Sequence, residues 1–181
     1  MAKNIAIVYH SGFGHTAKLA DYIALGVSQV AEVEVYLLSV DNIDWDILAA
    51  ADAIIMGCPT YMGSASAPFK TFMDASSKAW SQQVWQGKLA AGFTNSGGLS
   101  GDKLAVLQQI HLFAMQHGML WVGMPLQPTG TSPEDLNRMG SYMGLMAQSD
   151  SAPVDITPPM GDLRTAEWFG EYVARTTLRL R

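Results

Sequence analysis

Short, uninterrupted apolar runs alternate along the chain with longer stretches in which apolar residues recur every three or four positions. Runs without polar alternation suit strands buried on both faces, and the slower recurrence suits helices laid across them. The pattern therefore predicts a parallel sheet with helices on both sides. Ile5-Ala6-Ile7-Val8-Tyr9 is the first run, and Ser11-Gly12-Phe13-Gly14 reads as the turn after it. A helix is expected to begin near His15 or Thr16, with Ala17, Ala20, Ile23, Ala24 and Val27 at helical spacing. Residues 33–38 predict the second strand and 53–57 the third, with a short helix from about Trp45 to Ala50 between them. Residues 89–94 predict the fourth. The stripe Leu104, Leu107, His111 and Ala114 marks the helix that follows, Gly118 should end it, and Met119 to Gly123 is the expected fifth strand. A last helix, from about Asp162 to Leu178, carries Leu163, Ala166, Gly170, Val173 and Ala174 inward. It closes on Arg175, Arg179 and Arg181, where cations suit a helix C-terminus.

Composition narrows what such a chain could do. With 181 residues, 49% hydrophobic and 15% charged, it is long enough for a conventional core and is expected to form one domain over residues 1–181. Sixteen acidic against eleven basic residues give a net charge of −5, without the basic footprint that nucleic-acid binding requires. Cys58 is the one cysteine, which rules out an internal disulfide and a cysteine-based zinc site, and it reads as a small buried apolar residue. His10, His15, His111 and His117 show no metal-ligand spacing with carboxylates, so no metal is expected, and His111 reads as a core histidine. The first apolar run is shorter than a signal-peptide core, and the others break well before the roughly 20 residues a membrane span needs. A cytoplasmic protein with no membrane span is expected. Residues 124–160, rich in Pro, Gly, Met, Ser and Thr, exceed the ~12–15 residues usual for a structureless connection, which marks them as functional or as an interface.

In an open parallel sheet, ligands bind beyond the carboxyl ends of the strands, so the loops after strands one, three and four face one crevice. Ser11-Gly12-Phe13-Gly14-His15-Thr16 offers two hydroxyls, two glycines and the N–H groups of a helix start, which suits a phosphate without any Lys or Arg. It is not a Walker A loop, since the lysine and the spacing are absent. Gly12-x-Gly14-x-x-Ala17 comes nearer to the dinucleotide fingerprint, but the acid expected about twenty positions on falls among Tyr36-Leu37-Leu38. Pro59 to Pro68 combines an aromatic, a thioether and small residues against which a flat ring could rest. Asn95 to Gly101 supplies donors and acceptors for a ring with polar edges. Each loop alone could be ordinary turn chemistry. Together they select a ligand with one phosphate and one polar-edged ring.

The ordered series S-G-F-G-H-T, P-T-Y-M-G-S, F-K-T-F-M-D, A-W, G-K-L-A-A-G-F-T-N-S-G-G and Q-H-G-M resembles the flavodoxin-like FMN proteins. Within them it is similar to the NAD(P)H:quinone oxidoreductases named for tryptophan-repressor binding. The resemblance covers most of the chain and implies an α/β fold, a doubly wound five-stranded parallel sheet of order 2-1-3-4-5. It implies that Ser11, Gly12, Phe13, Gly14, His15 and Thr16 hold the FMN phosphate, and that Pro59, Thr60, Tyr61, Met62 and Gly63 follow the ribityl chain and ring. Asn95, Ser96, Gly97, Gly98 and Ser100 would surround the ring. His117 falls on the family's flavin-contacting histidine, and Phe13 and Trp80 on the two aromatics that border its nicotinamide and quinone site.

The implied activity is an FMN-dependent oxidoreductase in which NAD(P)H delivers hydride to the flavin and the flavin then reduces a quinone or similar acceptor. A homodimer or homotetramer is expected, with residues 124–160 or the Trp80 region closing the site from a neighbouring subunit. The alternative is a flavodoxin-like one-electron carrier that binds FMN without NAD(P)H activity. Carriers usually show acidic clusters around an exposed flavin edge, and the loops singled out here contain almost no acids. A dinucleotide-binding dehydrogenase and a cofactor-free signalling module are separable by cofactor identity alone. The sequence departs from the family at three places: Phe13 stands where a tyrosine is common, the segment between strands two and three lacks an insertion used in tetramer packing, and Gly98-Leu99-Ser100 replaces a more glycine-rich run.

Overall fold

A computed structural model describes residues 2–180. In chain order it contains β1 (Lys3–Tyr9), α1 (His15–Ser28), β2 (Val33–Ser39), α2 (Trp45–Ala50), β3 (Ala53–Tyr61), β4 (Ser64–Ala65), α3 (Ala67–Ala75), α4 (Ser77–Ser81), β5 (Leu89–Ser96), α5 (Lys103–Gln116), β6 (Leu120–Trp121), β7 (Leu145–Gln148) and α6 (Met160–Arg179). The main path of the sheet runs β2-β1-β3-β5-β6 with every neighbour parallel, the doubly wound order expected from the sequence. Ile5, Ala6, Ile7 and Val8 are all fully buried because successive side chains of β1 enter different cores. Ile5 and Ile7 join residues of α1 and α6 on one face, while Ala6 and Val8 join residues of α2, α3 and α5 on the other. Helices α1 and α6 approach closely at two glycines: a Cβ on Gly26 would run into the Glu167 carbonyl, and one on Gly170 into that of Ile23.

Three sequence expectations are corrected. The fifth strand, expected at Met119 to Gly123, is divided. β5 pairs with β6 at its start (Leu89↔Leu120, Ala90↔Trp121) and with β7 at its end (Phe93↔Leu145 to Ser96↔Gln148). Val122 still donates to Ala90 O at 2.8 Å, but Met124, the next N–H in phase, donates to Tyr142 O at 2.9 Å instead, so the chain leaves the edge there and pairs with β5 again at Leu145. The second correction concerns α5, whose buried face is Lys103, Val106, Leu107, Ile110, Phe113 and Ala114. Leu104 is exposed and His111 is only half-buried, packed edge-on against Trp121 with ring centroids 5.1 Å apart. Apolar residues lie on both sides of that helix, so spacing alone assigned its face one residue out of phase. Third, β3 runs on to Tyr61 and folds back as a hairpin on β4. Among the described residues, no helix is long and apolar enough to cross a membrane.

Candidate functional site

Where β1 ends, the chain turns through Ser11 to Gly14 into α1. The Ser11 hydroxyl oxygen accepts from the Gly14 and Ala17 N–H groups, both at 3.1 Å, which pins the turn to the helix start. Gly14 occupies the cap position at φ 90° and brings no side chain of its own, and no acidic residue stands in the first turn. The N–H groups of Gly12, Phe13, His15 and Thr16 have no acceptor among the described residues. Unpartnered N–H groups converging at the positive end of a helix dipole form an anion cradle that needs no Lys or Arg.

That cradle opens into a cleft of about 530 Å³ at the carboxyl ends of the strands. Gly12, Phe13, His15 and Thr16 line it on one side, Pro59, Thr60 and Tyr61 on a second, and Asn95, Ser96 and Gly97 on a third. Phe13, 78% exposed, meets Tyr61 edge-on with ring centroids 6.4 Å apart, so the mouth is aromatic. Buried polar side chains brace the walls. Thr16 donates its hydroxyl to Asn95 Oδ1 at 2.5 Å, Asn95 Nδ2 donates to Ser149 Oγ at 2.8 Å, and Thr94 donates to Cys58 O at 2.7 Å while Thr60 meets it at 2.9 Å. Asn95 thus joins three segments, and the Thr16 hydroxyl proton is already engaged, leaving its N–H for a ligand. Cys58 is fully buried, and burial pushes its thiol up to about 11, so it is an inert core residue, as its composition-based reading expected.

Several expected site residues lie elsewhere. Met62 and Gly63 form the tip of the β3–β4 hairpin, and Met62 projects wholly into solvent rather than against the cleft. Gly98 and Ser100 also stand outside the cleft lining; Ser100 O accepts from Lys103 N. His117, which the resemblance puts at the flavin, and Trp80, which it puts at the nicotinamide and quinone site, do not line the cleft of their own protomer. They line a separate pocket of about 310 Å³, beside Met73, Ser76 and Phe113. α4 leads toward the first residue of β5 and α5 toward the first of β6, so these side chains sit toward the opposite rim, roughly a strand length of ~20 Å from the cradle. His117 is 2% exposed, its Nε2 shares a 2.9 Å hydrogen bond with Ser76 Oγ, and its ring packs on Trp85 at 4.2 Å and Phe113 at 4.8 Å. Burial pushes its pKa down to about 4, so the imidazole is neutral at physiological pH, with Nδ1 unpartnered. Trp80 is half exposed.

Residues 149–154 supply a fourth wall from the same protomer, whereas the sequence expectation had residues 124–160 closing the site from a neighbouring one. His15 Nε2 lies 3.0 Å from Ala152 O and Lys18 Nζ donates to Val154 O at 2.5 Å, which hold this segment over the cradle. The signal was present in the unusual length of the 124–160 connection. This wall also brings Asp150 to the cleft, an acid absent from the three loops singled out earlier. Lys103, buried behind Ser96, was missed altogether.

A family described as NADPH-dependent FMN reductase matches residues 45–126. Flavodoxin FldP of Pseudomonas aeruginosa is 42% identical over 175 residues, covering 93% of this chain and 94% of that protein. An NAD(P)H dehydrogenase (quinone) of Geobacter sulfurreducens is 30% identical over 201 aligned positions, covering 98% of each. Among solved structures, the flavodoxin, WrbA-like protein from Agrobacterium tumefaciens superposes with a TM-score of 0.80 at 40% identity, covering 99% of this chain and 100% of that one. Sheet order, crest cleft and identity along nearly the whole length agree, and the chain belongs to the flavodoxin-like FMN family that includes these relatives.

Proposed function

We propose that the protein is an FMN-dependent oxidoreductase that takes hydride from NAD(P)H and passes electrons to a quinone or similar acceptor. The observation that carries FMN binding is the set of unpartnered N–H groups at Gly12, Phe13, His15 and Thr16, a cradle matched to a phosphate monoester. These groups grip the phosphate, and the Ser11 hydroxyl, its oxygen already fixed by two N–H donors, keeps its proton for the same anion. Asn95, His15 and Lys18 hold the walls, while Phe13 and Tyr61 bound an open mouth able to admit a second flat molecule. The bound flavin supplies the hydride-accepting chemistry. Trp80 and His117 could meet a ring in the cleft only from a neighbouring protomer, so this reading includes a homodimer or homotetramer.

The 42% identity to a flavodoxin favours a second reading, a one-electron carrier that binds FMN without using NAD(P)H. Anaerobic titration of the FMN-loaded protein with NADPH, then NADH, separates the two by bleaching of the flavin's visible absorption. Rapid bleaching reversed by a quinone is the expected result. Bound FMN that neither nucleotide reduces would establish the carrier, and failure to bind FMN would sink both.

A further inference from the structure

Among the described residues no Lys or Arg lines the cleft, yet Lys103 stands behind its Ser96 wall. Lys103 opens α5 and is 1% exposed. Its ammonium donates to Ser96 Oγ at 2.8 Å, Gly98 O at 2.8 Å and Leu99 O at 2.9 Å, so all three donors are engaged on the loop that follows β5. The loop is shaped for this. Gly101, at φ 54°, lies so close that a Cβ there would run into Ser96 Oγ. From the other side, Gln148 Nε2 donates to Gly97 O at 3.0 Å. The loop's carbonyls are therefore drawn downward, and the N–H groups of Gly97 and Gly98 have no acceptor among the described residues.

The carboxylate whose charge acts on Lys103 does not neutralise it. Asp162, 2% exposed, is gripped by Arg138 through Nε at 2.7 Å and Nη2 at 3.0 Å, and also accepts from Gln148 N at 2.8 Å. Two cations against one anion leave one positive charge buried under the loop. A latch on carbonyls needs no charge, since the neutral amide of Gln148 does the same work on Gly97, and burying an unmatched ammonium costs several kcal/mol. An anion in the cleft would offset that cost. A hydride brings two electrons and one proton to a neutral flavin, its donor leaving as NAD(P)+, so the reduced ring carries one negative charge until it takes a second proton. We propose that Lys103 is a positioning residue whose fixed positive charge beneath Ser96–Gly98 favours this negatively charged reduced ring over the oxidised one. The inference rests on the FMN reading above. Burial pushes the Lys103 ammonium down to about 8, with Asp162 opposing the shift and Arg138 adding to it, so the charge is present at neutral pH and is lost in mild alkali. The other titratable groups around it are Asp102 on its own helix start and, across the cleft, Asp150 and His15.

The test is the pH dependence of the two-electron potential of the FMN-loaded protein, with free FMN measured beside it. The potential follows one proton per two electrons while the reduced ring is anionic and two once it is neutral, so the bend reports that second proton. In the wild type the bend is expected at lower pH than in free FMN. In Lys103→Met it should return to the free value, with reduced FMN bound about tenfold more weakly relative to oxidised FMN, which is about 30 mV in a two-electron potential. Lys103→Arg should retain the wild-type bend. A wild-type bend at or above that of free FMN, or a Lys103→Met potential equal to wild type, overturns the proposal and leaves a loop latch. If Lys103→Met holds no FMN, the wild-type bend alone decides. A wild type that binds no FMN sinks the underlying reading instead.

Discussion

At the carboxyl ends of the strands, four backbone N–H groups stand open around a 530 Å³ cleft, whereas the polar atoms of His117 and Ser76, toward the other rim, are enclosed by Trp85, Phe113 and Met73. Both regions are concave, and both hold residues that the family resemblance connects with a flavin. They differ in how their polar groups are satisfied. The first has donors without acceptors, a preorganised place for an anion. The second has a neutral imidazole held in an aromatic cluster, its Nε2 on Ser76 and its Nδ1 enclosed and unpartnered, so it has no open donor to offer an anion. The comparison teaches that unsatisfied donors, more than aromatic content or concavity, distinguish the binding site.

The strongest way to break this comparison is to damage the aromatic region and look for an effect on the cleft. Trp85 is 1% exposed and packs against Phe72, Phe113 and His117. Trp85→Ala should cost about 3–5 kcal/mol in urea unfolding while leaving the FMN dissociation constant of the folded fraction within about twofold. A large loss of affinity at retained folding would mean that the two regions are coupled.

Acid lability sharpens the same contrast. Burial depresses the His117 pKa to about 4, so as pH falls below about 6.5 the unfolded chain takes a proton that the native state refuses. Stability should be flat with respect to this group above that pH and decline between about 6.5 and 4, by at most about 3 kcal/mol. Burial lowers the His10 pKa as well, so the difference between wild type and His117→Gln isolates His117. Urea midpoints across this window should fall less steeply in the variant. Equal slopes would show that His117 takes up its proton inside the fold.

The cradle calls for the opposite experiment, in which binding changes and folding does not. Phe13→Asp places a carboxylate on an exposed residue beside the open N–H groups. An anion near a helix N-terminus stabilises by about 0.3–1 kcal/mol, so the melting temperature should hold or rise slightly. FMN should bind about tenfold more weakly, less so at high salt. Riboflavin, which lacks the phosphate, corrects for the lost phenyl ring, and an unchanged ratio of FMN to riboflavin affinity would place the phosphate elsewhere.

Much of this was legible in the sequence because it is local. The buried run of β1, the glycines and helix start after it, and the stripe of α6 each follow from adjacent residues, and the observed elements agree with them. The division of the fifth strand was not legible, since β6 and β7 become one edge only through pairing with β5 across an excursion of some twenty residues. That residues 149–154 wall the cleft of their own protomer, and that Lys103 lies behind it, were not legible for related reasons. The first reach the cleft through contacts from His15 and Lys18, more than a hundred positions away, and a lysine at the start of a helix ordinarily predicts exposure. Trp80 and His117 illustrate the converse: a motif match assigns a family role but not the protomer in which that role is played.

Met62 provides the smallest and cleanest test, because its expected contribution to the cleft and its observed position demand opposite results. Tyr61 pairs with Ser64, so Met62 and Gly63 are the two central residues of the hairpin, and both have positive φ, 50° and 74°. Such a turn favours Asn-Gly, since Asn tolerates the left-handed region and an unbranched apolar side chain gains nothing there when fully solvated. Met62→Asn should therefore raise stability by about 0.5–1 kcal/mol, seen as a higher urea midpoint at unchanged slope, with FMN affinity unaffected. If the variant instead binds FMN several-fold more weakly, the thioether folds back over the ring when FMN binds, and the hairpin tip belongs to the site after all.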